Sequence, residues 1–464
     1  MSHLQLTLLL LTTQIFATVQ GQHKFWVATE QLATIEDAHP TFCSKWLQAC
    51  TVELTAAEAA SLQILPTQRV RSFELTGAPT DAAELGFALE QIEGQLLIDQ
   101  GLTGKGVKIG IIDGGFLGAT KDPSLGPFFE EDRVKWYKDF IDPSAEPFSG
   151  FRALDDDHGT QVWGLIGGIH AETGVQFGLA TGAEYYLART DHGSYEKRIE
   201  EDYLIAALEA MDSMGVRLIN ISLGYSTGYT DTSENYKPED MDGKTSMMAR
   251  AIDHAFDEKD MLVVVAAGNE GSVAHWQIVS TPGDARGALS VGAAKFKVWD
   301  RMQYSSIGPE QLPYIKPDVS VYAAAGTSFS APVITGLAAC LMEIRPDLSV
   351  REIRRLIEQS GHLYPFSNNY LGHGVPQVSK LLQLLEGEEP ERPILLKTKK
   401  SSLKFRGDIE GQVVVLYHKT DARNVRSRLF LRPEKGAIKI RRHANAAFTT
   451  ILVGGRATEI EWLD

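Results

Sequence analysis

From residue 107 onward, short apolar runs alternate with longer segments whose apolar positions recur at helical spacing. Val107-Lys108-Ile109-Gly110-Ile111-Ile112 is nearly continuous in its apolar character, and Tyr185–Arg189, Arg217–Leu223 and Met261–Ala267 repeat the pattern. Runs this short, without polar alternation, suit strands buried on both faces. Helices are predicted from His158, over Ile199–Met214 and over Ser246–Lys259. The alternation predicts an α/β fold, a mostly parallel sheet with helices on both faces. Such sheets bind ligands at the carboxyl ends of their strands, where Asp113, Ser222 and Asn269 fall.

The flanks follow other patterns. Lys24–Ala28, Ala49–Leu54 and Val70–Leu75 read as strands, and Thr55-Ala56-Ala57-Glu58 has the spacing of a capping box, which together describe a small α+β unit over residues 22–80. Residues 77–84 read as a linker, and 387–393, Gly-Glu-Glu-Pro-Glu-Arg-Pro, as a second one. Beyond it, short alternating runs at Gln412–Tyr417, Arg428–Leu431, Ala437–Ile440, Phe448–Val453 and Thr458–Trp462 predict a small β domain over 394–464. At the other end, the apolar stretch Leu4–Leu11 with Ile15, Phe16 and Ala17 is too short to span a bilayer. Residues 1–21 read as a signal peptide cleaved near Gly21-Gln22, although no Lys or Arg precedes the apolar core.

Chemistry concentrates at three places. Gly326-Thr327-Ser328-Phe329-Ser330-Ala331-Pro332 sets a serine where strand gives way to helix, with Pro332 suited to the first helical turn. A serine so mounted presents an exposed hydroxyl and a backbone N–H at the positive end of a helix. It needs a base, and the base needs a group that fixes its tautomer. His158 opens a helix behind the uncrowding residues Gly159 and Thr160, and Asp113 ends the strand that Gly114-Gly115 follow. The chain order is Asp, His, Ser.

These residues resemble the motifs of the subtilisin-like serine peptidases, over roughly residues 85–386. Ile111-Ile112-Asp113-Gly114-Gly115 is similar to the family's aspartate motif. His158-Gly159-Thr160 with Val162 and Gly164 is similar to its histidine motif, and Gly326–Pro332 to its serine motif. Ala266-Ala267-Gly268-Asn269-Glu270-Gly271 resembles the stretch that carries the oxyanion asparagine, which implies that role for Asn269. The resemblance also implies that Ser222, Leu223, Gly224 and Gly268 line the substrate backbone, that Glu270 lies near the pocket base, and that residues 22–80 are an inhibitory propeptide. Tyr225 is open to two readings, a pocket residue or a surface aromatic. Three departures stand out: Gln161 replaces a common histidine, the connection from Val319 to Gly326 is short, and His170–Phe177, where the family's calcium loop would fall, is poor in ligand oxygens. No cofactor is expected, and structural calcium is not supported by that loop. Asp155-Asp156-Asp157 reads as a solvated acidic run rather than a metal site.

Composition refines this. The 464 residues are 43% hydrophobic and 23% charged, enough for a large core and more than one domain. Three cysteines exclude a dense disulfide framework. Cys43 and Cys50 are close enough to pair, and Cys340 reads as a core residue. Residues 395–464 carry 15 Lys or Arg against 7 Asp or Glu, a net +8 that leaves −23 for the rest of a chain totalling −15. Such asymmetry signals a partner: the acidic part of the same chain, or an anionic surface or polymer. Nucleic acid is not expected, since no recognition motif accompanies the charge. The expected protein is an exported (secreted, periplasmic or cell-surface) serine endopeptidase acting on peptide or protein substrates and on its own propeptide. The alternative is a catalytically silent binding or scaffold protein of the same fold.

Overall fold

The computed structural model describes residues 23–32, 35, 39–55, 82–151, 156–170, 173–193, 197–388 and 393–463. It divides into two units, residues 1–43 with 48–67, and residues 44–47 with 68–464. In the leading region, strands β1 (His23–Ala28), β2 (Phe42–Ser44) and β3 (Ala49–Leu54) form a three-stranded sheet in the order β1-β3-β2. Phe25, Val27, Val52 and Leu54 make its small core, and a disulfide joins Cys43 to Cys50. Strand β2 and the helical turn Thr29–Leu32 were not anticipated from the sequence. The expected helix after Thr55, the strand Val70–Leu75 and the signal segment lie outside the described residues.

The larger unit holds a parallel sheet of β4 (Lys108–Asp113), β5 (Val134–Asp139), β6 (Glu184–Arg189), β7 (Leu218–Ile221), β8 (Leu262–Ala266), β9 (Ala288–Ala294) and β10 (Val319–Tyr322). These seven strands run in the order β10-β9-β8-β7-β4-β6-β5. The helices that bear on the site are α1 (Ala82–Gln91), α2 (His158–Gly167), α3 (Ile199–Ser213), α4 (Met247–Glu258) and α5 (Ala331–Ile344). Successive residues of β4 serve opposite layers. Ile109 and Ile111 join a cluster with Val162, Ile166, Ile334 and Leu337 of α2 and α5. On the other face, a side chain at Gly110 would strike Ile219 and Met211 of α3 at 2.5 Å. Helix α5 is interior from Ala331 to Met342, in keeping with a sequence that is apolar there except at Thr335. Cys340 lies within it as a core residue, and burial pushes its thiol up to about 12.

The segment expected as a linker before this unit is partly helical. Helix α1 starts at Ala82, Phe87 stacks on Phe296 at 4.5 Å, and Ala88 and Leu89 enter the core.

After the helix Val378–Leu385 the chain enters β11 (Ile394–Thr398), β12 (Ser402–Arg406), β13 (Val414–Lys419), β14 (Val425–Leu431), β15 (Ala437–Arg441), β16 (Phe448–Val453) and β17 (Arg456–Trp462). Five of these form a sheet in the order β11-β17-β16-β13-β14, and β12 and β15 pair as a separate ribbon. The sheet is covered on both faces. Val414 and Leu416 of β13 pack with Ile440 under the ribbon, while Val415 and Tyr417 join the main core with Leu452 and Val425. Burying aliphatic side chains such as Val415 and Leu452 contributes on the order of 2 kcal/mol each, so this domain shares a core with the parallel sheet.

Candidate active site

Strands β8, β7 and β4 are neighbours at the middle of the sheet, and their carboxyl ends lead directly into Asn269, Ser222 and Asp113. From β4 the chain goes first to the edge strand β5, returns to β6 between β5 and β4, and then crosses to β7 on the other side of β4, so the crevice lies where the strand order reverses.

Asp113 is fully buried, and its Oδ1 accepts from the backbone N–H of Gly114 at 2.8 Å and bonds His158 Nδ1 at 2.6 Å. The approach of α2 to β4 depends on Gly159, where a Cβ would lie 2.5 Å from the Gly115 carbonyl oxygen and 2.9 Å from Asp113 Cβ. In its place the Gly159 N–H donates to that carbonyl at 2.8 Å. The imidazole of His158 lies 5.4 Å from the ring of Phe329, the residue after Ser328, and its buried Nε2 has no hydrogen-bond partner among the described residues.

Ser328 departs from expectation in two respects. The hydroxyl expected to be exposed is on a residue only 2% accessible, and it donates to the carbonyl of Ser222 at 3.0 Å rather than meeting His158. Both follow from the local packing. A 3-10 turn, Thr327–Phe329, precedes α5 and tucks the serine under the end of β7. There Ser222 Oγ donates to the Ser328 carbonyl at 2.9 Å and accepts from Asn220 Nδ2 at 2.9 Å. Thr335 Oγ1, one turn into α5, donates to Asn220 Oδ1 at 2.9 Å. Four side chains thus lock the serine turn to β7. None of this ladder except Ser222 and Ser328 is signalled by the motifs.

Asn269 follows Gly268, whose φ of 116° suits a residue without a side chain. Its Oδ1 accepts from the backbone N–H of Thr327 at 2.9 Å and from Thr327 Oγ1 at 3.2 Å. A planar amide held through its oxygen turns Nδ2 the other way. Thr327 Oγ1 also accepts from the Gly268 N–H at 2.9 Å, which ties the asparagine segment to the serine turn. Ser222, Leu223, Gly224, Gly268, Asn269 and Ser328 are therefore brought together, with Asp113 and His158 beside them.

Glu270 comes next. Its Oε2 accepts from Ser306 Oγ at 3.1 Å, and burial pushes its carboxyl up to about 7 from an ordinary value of 4.5. A raised carboxyl pKa means that the folded state favours the neutral form, so stability falls as pH rises from about 4.5 through about 7. Glu270→Gln is expected to flatten that slope and to melt a few degrees higher than the parent at pH 8, with little difference at pH 4. Melting scans across this pH range check it, and parallel curves would exclude Glu270 as the source.

Two further readings change. Tyr225 is not a surface aromatic: it is fully buried, and its backbone pairs with Thr281 in an antiparallel bridge. The acidic run before His158 is not solvated at Asp156. Its carboxylate is buried and bonds Arg189 Nη2 at 2.8 Å, while Arg189 reaches Asp139 at 3.1 Å and the Gly114 carbonyl at 3.0 Å. Arg189 thereby joins the ends of β4, β5 and β6 beside Asp113. Asp155 lies outside the described residues, and no cluster of metal-ligating side chains occurs among those described.

The profile of the Subtilase family matches residues 104–374, more than half of the chain. Subtilisin NAT of Bacillus subtilis subsp. natto is 27% identical over 315 residues, 65% of this chain and 72% of the relative. A subtilisin of Bacillus pumilus is also 27% identical over 315 residues, 65% of this chain and its own entire length. Among solved structures, the epidermin leader peptide processing serine protease of Staphylococcus aureus has a TM-score of 0.54 at 18% identity, covering 80% of this chain and 100% of that one. Fervidolysin of Fervidobacterium pennivorans has a TM-score of 0.52 at 17% identity, covering 93% of this chain and 70% of that one. The chain belongs to the subtilase family and is a subtilisin-like serine endopeptidase.

Proposed function

We propose that this protein is an exported endopeptidase that cuts peptide bonds through Asp113, His158 and Ser328, and that it removes its own leading segment. The observation that carries the site reading is the 2.6 Å bond between His158 Nδ1 and Asp113 Oδ1, on an imidazole packed beside the Ser328 turn. That bond fixes the proton on Nδ1 and leaves Nε2 as the base. In the reactive conformer the Ser328 hydroxyl leaves the Ser222 carbonyl and bonds Nε2. Ser328 Oγ then attacks the substrate carbonyl as its proton passes to Nε2. Asn269 Nδ2 and the Ser328 N–H receive the oxyanion. The C–N bond breaks as Nε2 returns the proton to the amine, and water, deprotonated by the same nitrogen, hydrolyses the acyl ester. The substrate lies as an added strand along the backbone of Ser222–Gly224 and Gly268.

A fluorophosphonate label tests this reading: mature protein should be modified at Ser328, and an unlabelled, correctly processed protein would refute it. Export is supported by the leading apolar segment and by the Cys43–Cys50 disulfide, a bond that persists in oxidising compartments.

The basic segment supplies a second contact. On the β12–β15 ribbon, Leu403, Phe405, Ile438 and Ile440 face the domain core. Lys404, Arg406, Lys439 and Arg441 are exposed, with Lys404 directly opposite Lys439. Like charges so placed repel unless an anion lies across them. Arg423 and Arg428 of the same basic segment are spent on contacts inside the protein. We assign the ribbon to an anionic polymer. Retention on such a polymer should weaken as salt rises and fall further on charge reversal at Lys404 and Lys439, and retention unaffected by both would remove this role.

A further inference from the structure

We infer that the C-terminal sheet is a positioning element for the oxyanion wall, holding both ends of segment 300–308 so that this segment can clamp the backbone on either side of Asn269. The inference rests on Asn269 as the oxyanion donor, and it gives residues 394–463 a part in catalysis beyond adding a basic surface.

At the first end stands Asp300, fully buried in the parallel-sheet domain. Arg428 of β14 donates through Nη1 to both its oxygens, at 2.8 and 3.0 Å, and Tyr417 of β13 donates to Oδ1 at 2.8 Å. Lys295 adds a bond to Oδ2 at 3.1 Å. Two of the three side chains on this carboxylate thus come from the C-terminal sheet. At the other end, Gly308 donates its N–H to the Asn369 carbonyl at 2.8 Å. Asn369 is itself gripped by the C-terminal domain, donating its N–H to the Arg423 carbonyl at 3.0 Å and accepting from the Val425 N–H on Oδ1 at 2.9 Å.

Between these anchors the segment grips the active site. Arg301 Nη1 donates to the Ser305 carbonyl, and its guanidinium and that of Arg428 lie 5.1 and 5.7 Å from the ring of Tyr370. Ser306 donates its N–H to the Gly268 carbonyl at 2.9 Å, and Gly271 donates its N–H to the Tyr304 carbonyl at 2.7 Å. Glu270 donates its N–H to Ser306 Oγ at 3.1 Å. The residue before Asn269 and both residues after it are therefore bonded to residues 304–306. Contact is close, since a Cβ on Gly271 would fall 2.0 Å from the Ser305 carbonyl oxygen and 2.3 Å from Arg301 Nη1. The contacts from Asp300 through Arg301 and Ser305–Ser306 to the backbone around Asn269 are therefore continuous.

Misplacing a catalytic group by about 1 Å costs on the order of a hundredfold in rate, so partial loosening of the clamp should cost roughly tenfold. In the full-length protein, Arg428→Met is expected to lower kcat about tenfold with little change in KM, per active site counted by fluorophosphonate titration. Tyr417→Phe, which removes only a hydroxyl, should lower it about threefold, and it carries the test if Arg428→Met does not fold. The decisive readout is a double-mutant cycle. In an Asn269→Ala background both substitutions should change kcat less than twofold, because the group they position is gone. Loss by the same factor in both backgrounds, or unchanged kcat in both folded single variants, would overturn the inference and leave the sheet a stabilising addition. Unchanged kcat on Asn269→Ala alone would overturn the oxyanion assignment, and the inference with it.

Discussion

Ser328→Ala should lower kcat for peptide hydrolysis by about a millionfold, on the order of 8 kcal/mol of transition-state stabilisation, while the protein folds as before. The magnitude is the one measured for the nucleophile of subtilisin itself. Losing the hydroxyl removes one donor from the Ser222 carbonyl, but the bonds from Ser222 Oγ to the Ser328 carbonyl and from Thr327 to Asn269 involve no atom of the deleted group. Melting temperature should therefore stay within a few degrees of the parent, which separates lost chemistry from lost structure. The same variant reports on maturation. Helix α1 from Ala82 is seated through Phe87 and Leu89 in the core of the larger unit, so the proposed self-cleavage is expected in the stretch before this helix. Ser328→Ala expressed without other proteases should keep its leading segment. A fully trimmed variant would mean that another enzyme does the cutting, and a variant with appreciable turnover would mean that Ser328 is not the nucleophile.

What could be read from the sequence was set by how local each signal is. The buried run ending in Asp113, the helix opened by His158 and the small residues around Ser328 lie within a few positions of the groups they mount, so the parallel sheet and the motif residues are legible. The edge strand β5, Val-Lys-Trp-Tyr-Lys-Asp, is not, because only one of its residues is buried and it lacks the apolar run of its neighbours. Nor is β9, Ala-Leu-Ser-Val-Gly-Ala-Ala, whose small residues satisfy close packing rather than strand propensity. Long-range polar pairs leave no local trace at all. Nothing near Asp156 announces Arg189, 33 positions on, and nothing near Asp300 announces Arg428, 128 positions on. One sign of the shared core was present but was read otherwise: Gln412–Tyr417, expected to alternate, is continuously apolar from Val413 to Tyr417, whereas a free-standing small sheet with a wet face would alternate.

Asn269→Ala is expected to lower kcat by roughly a hundred- to a thousandfold, about 2.7–4 kcal/mol, a range established by removing the equivalent donor in subtilisin. The loss should fall on kcat, with KM nearly unchanged, because the Nδ2 bond is made to an oxyanion that exists only in the transition state. Its geometry permits a sharper test than truncation alone. Asn269 Oδ1 has its own task, accepting from the N–H and Oγ1 of Thr327 and so orienting the turn that carries Ser328. Alanine removes both functions, whereas Asn269→Asp keeps an oxygen for Thr327 and replaces the donor with a second acceptor. If Asn269 acts through Nδ2, aspartate must be at least as damaging as alanine despite preserving the structural bond, since a carboxylate repels the developing negative charge. If Asn269 acts only by holding Thr327, aspartate should restore most of the activity that alanine loses. Single-turnover acylation rates for the two variants decide between these, and recovery in the aspartate variant would move the oxyanion site away from Asn269.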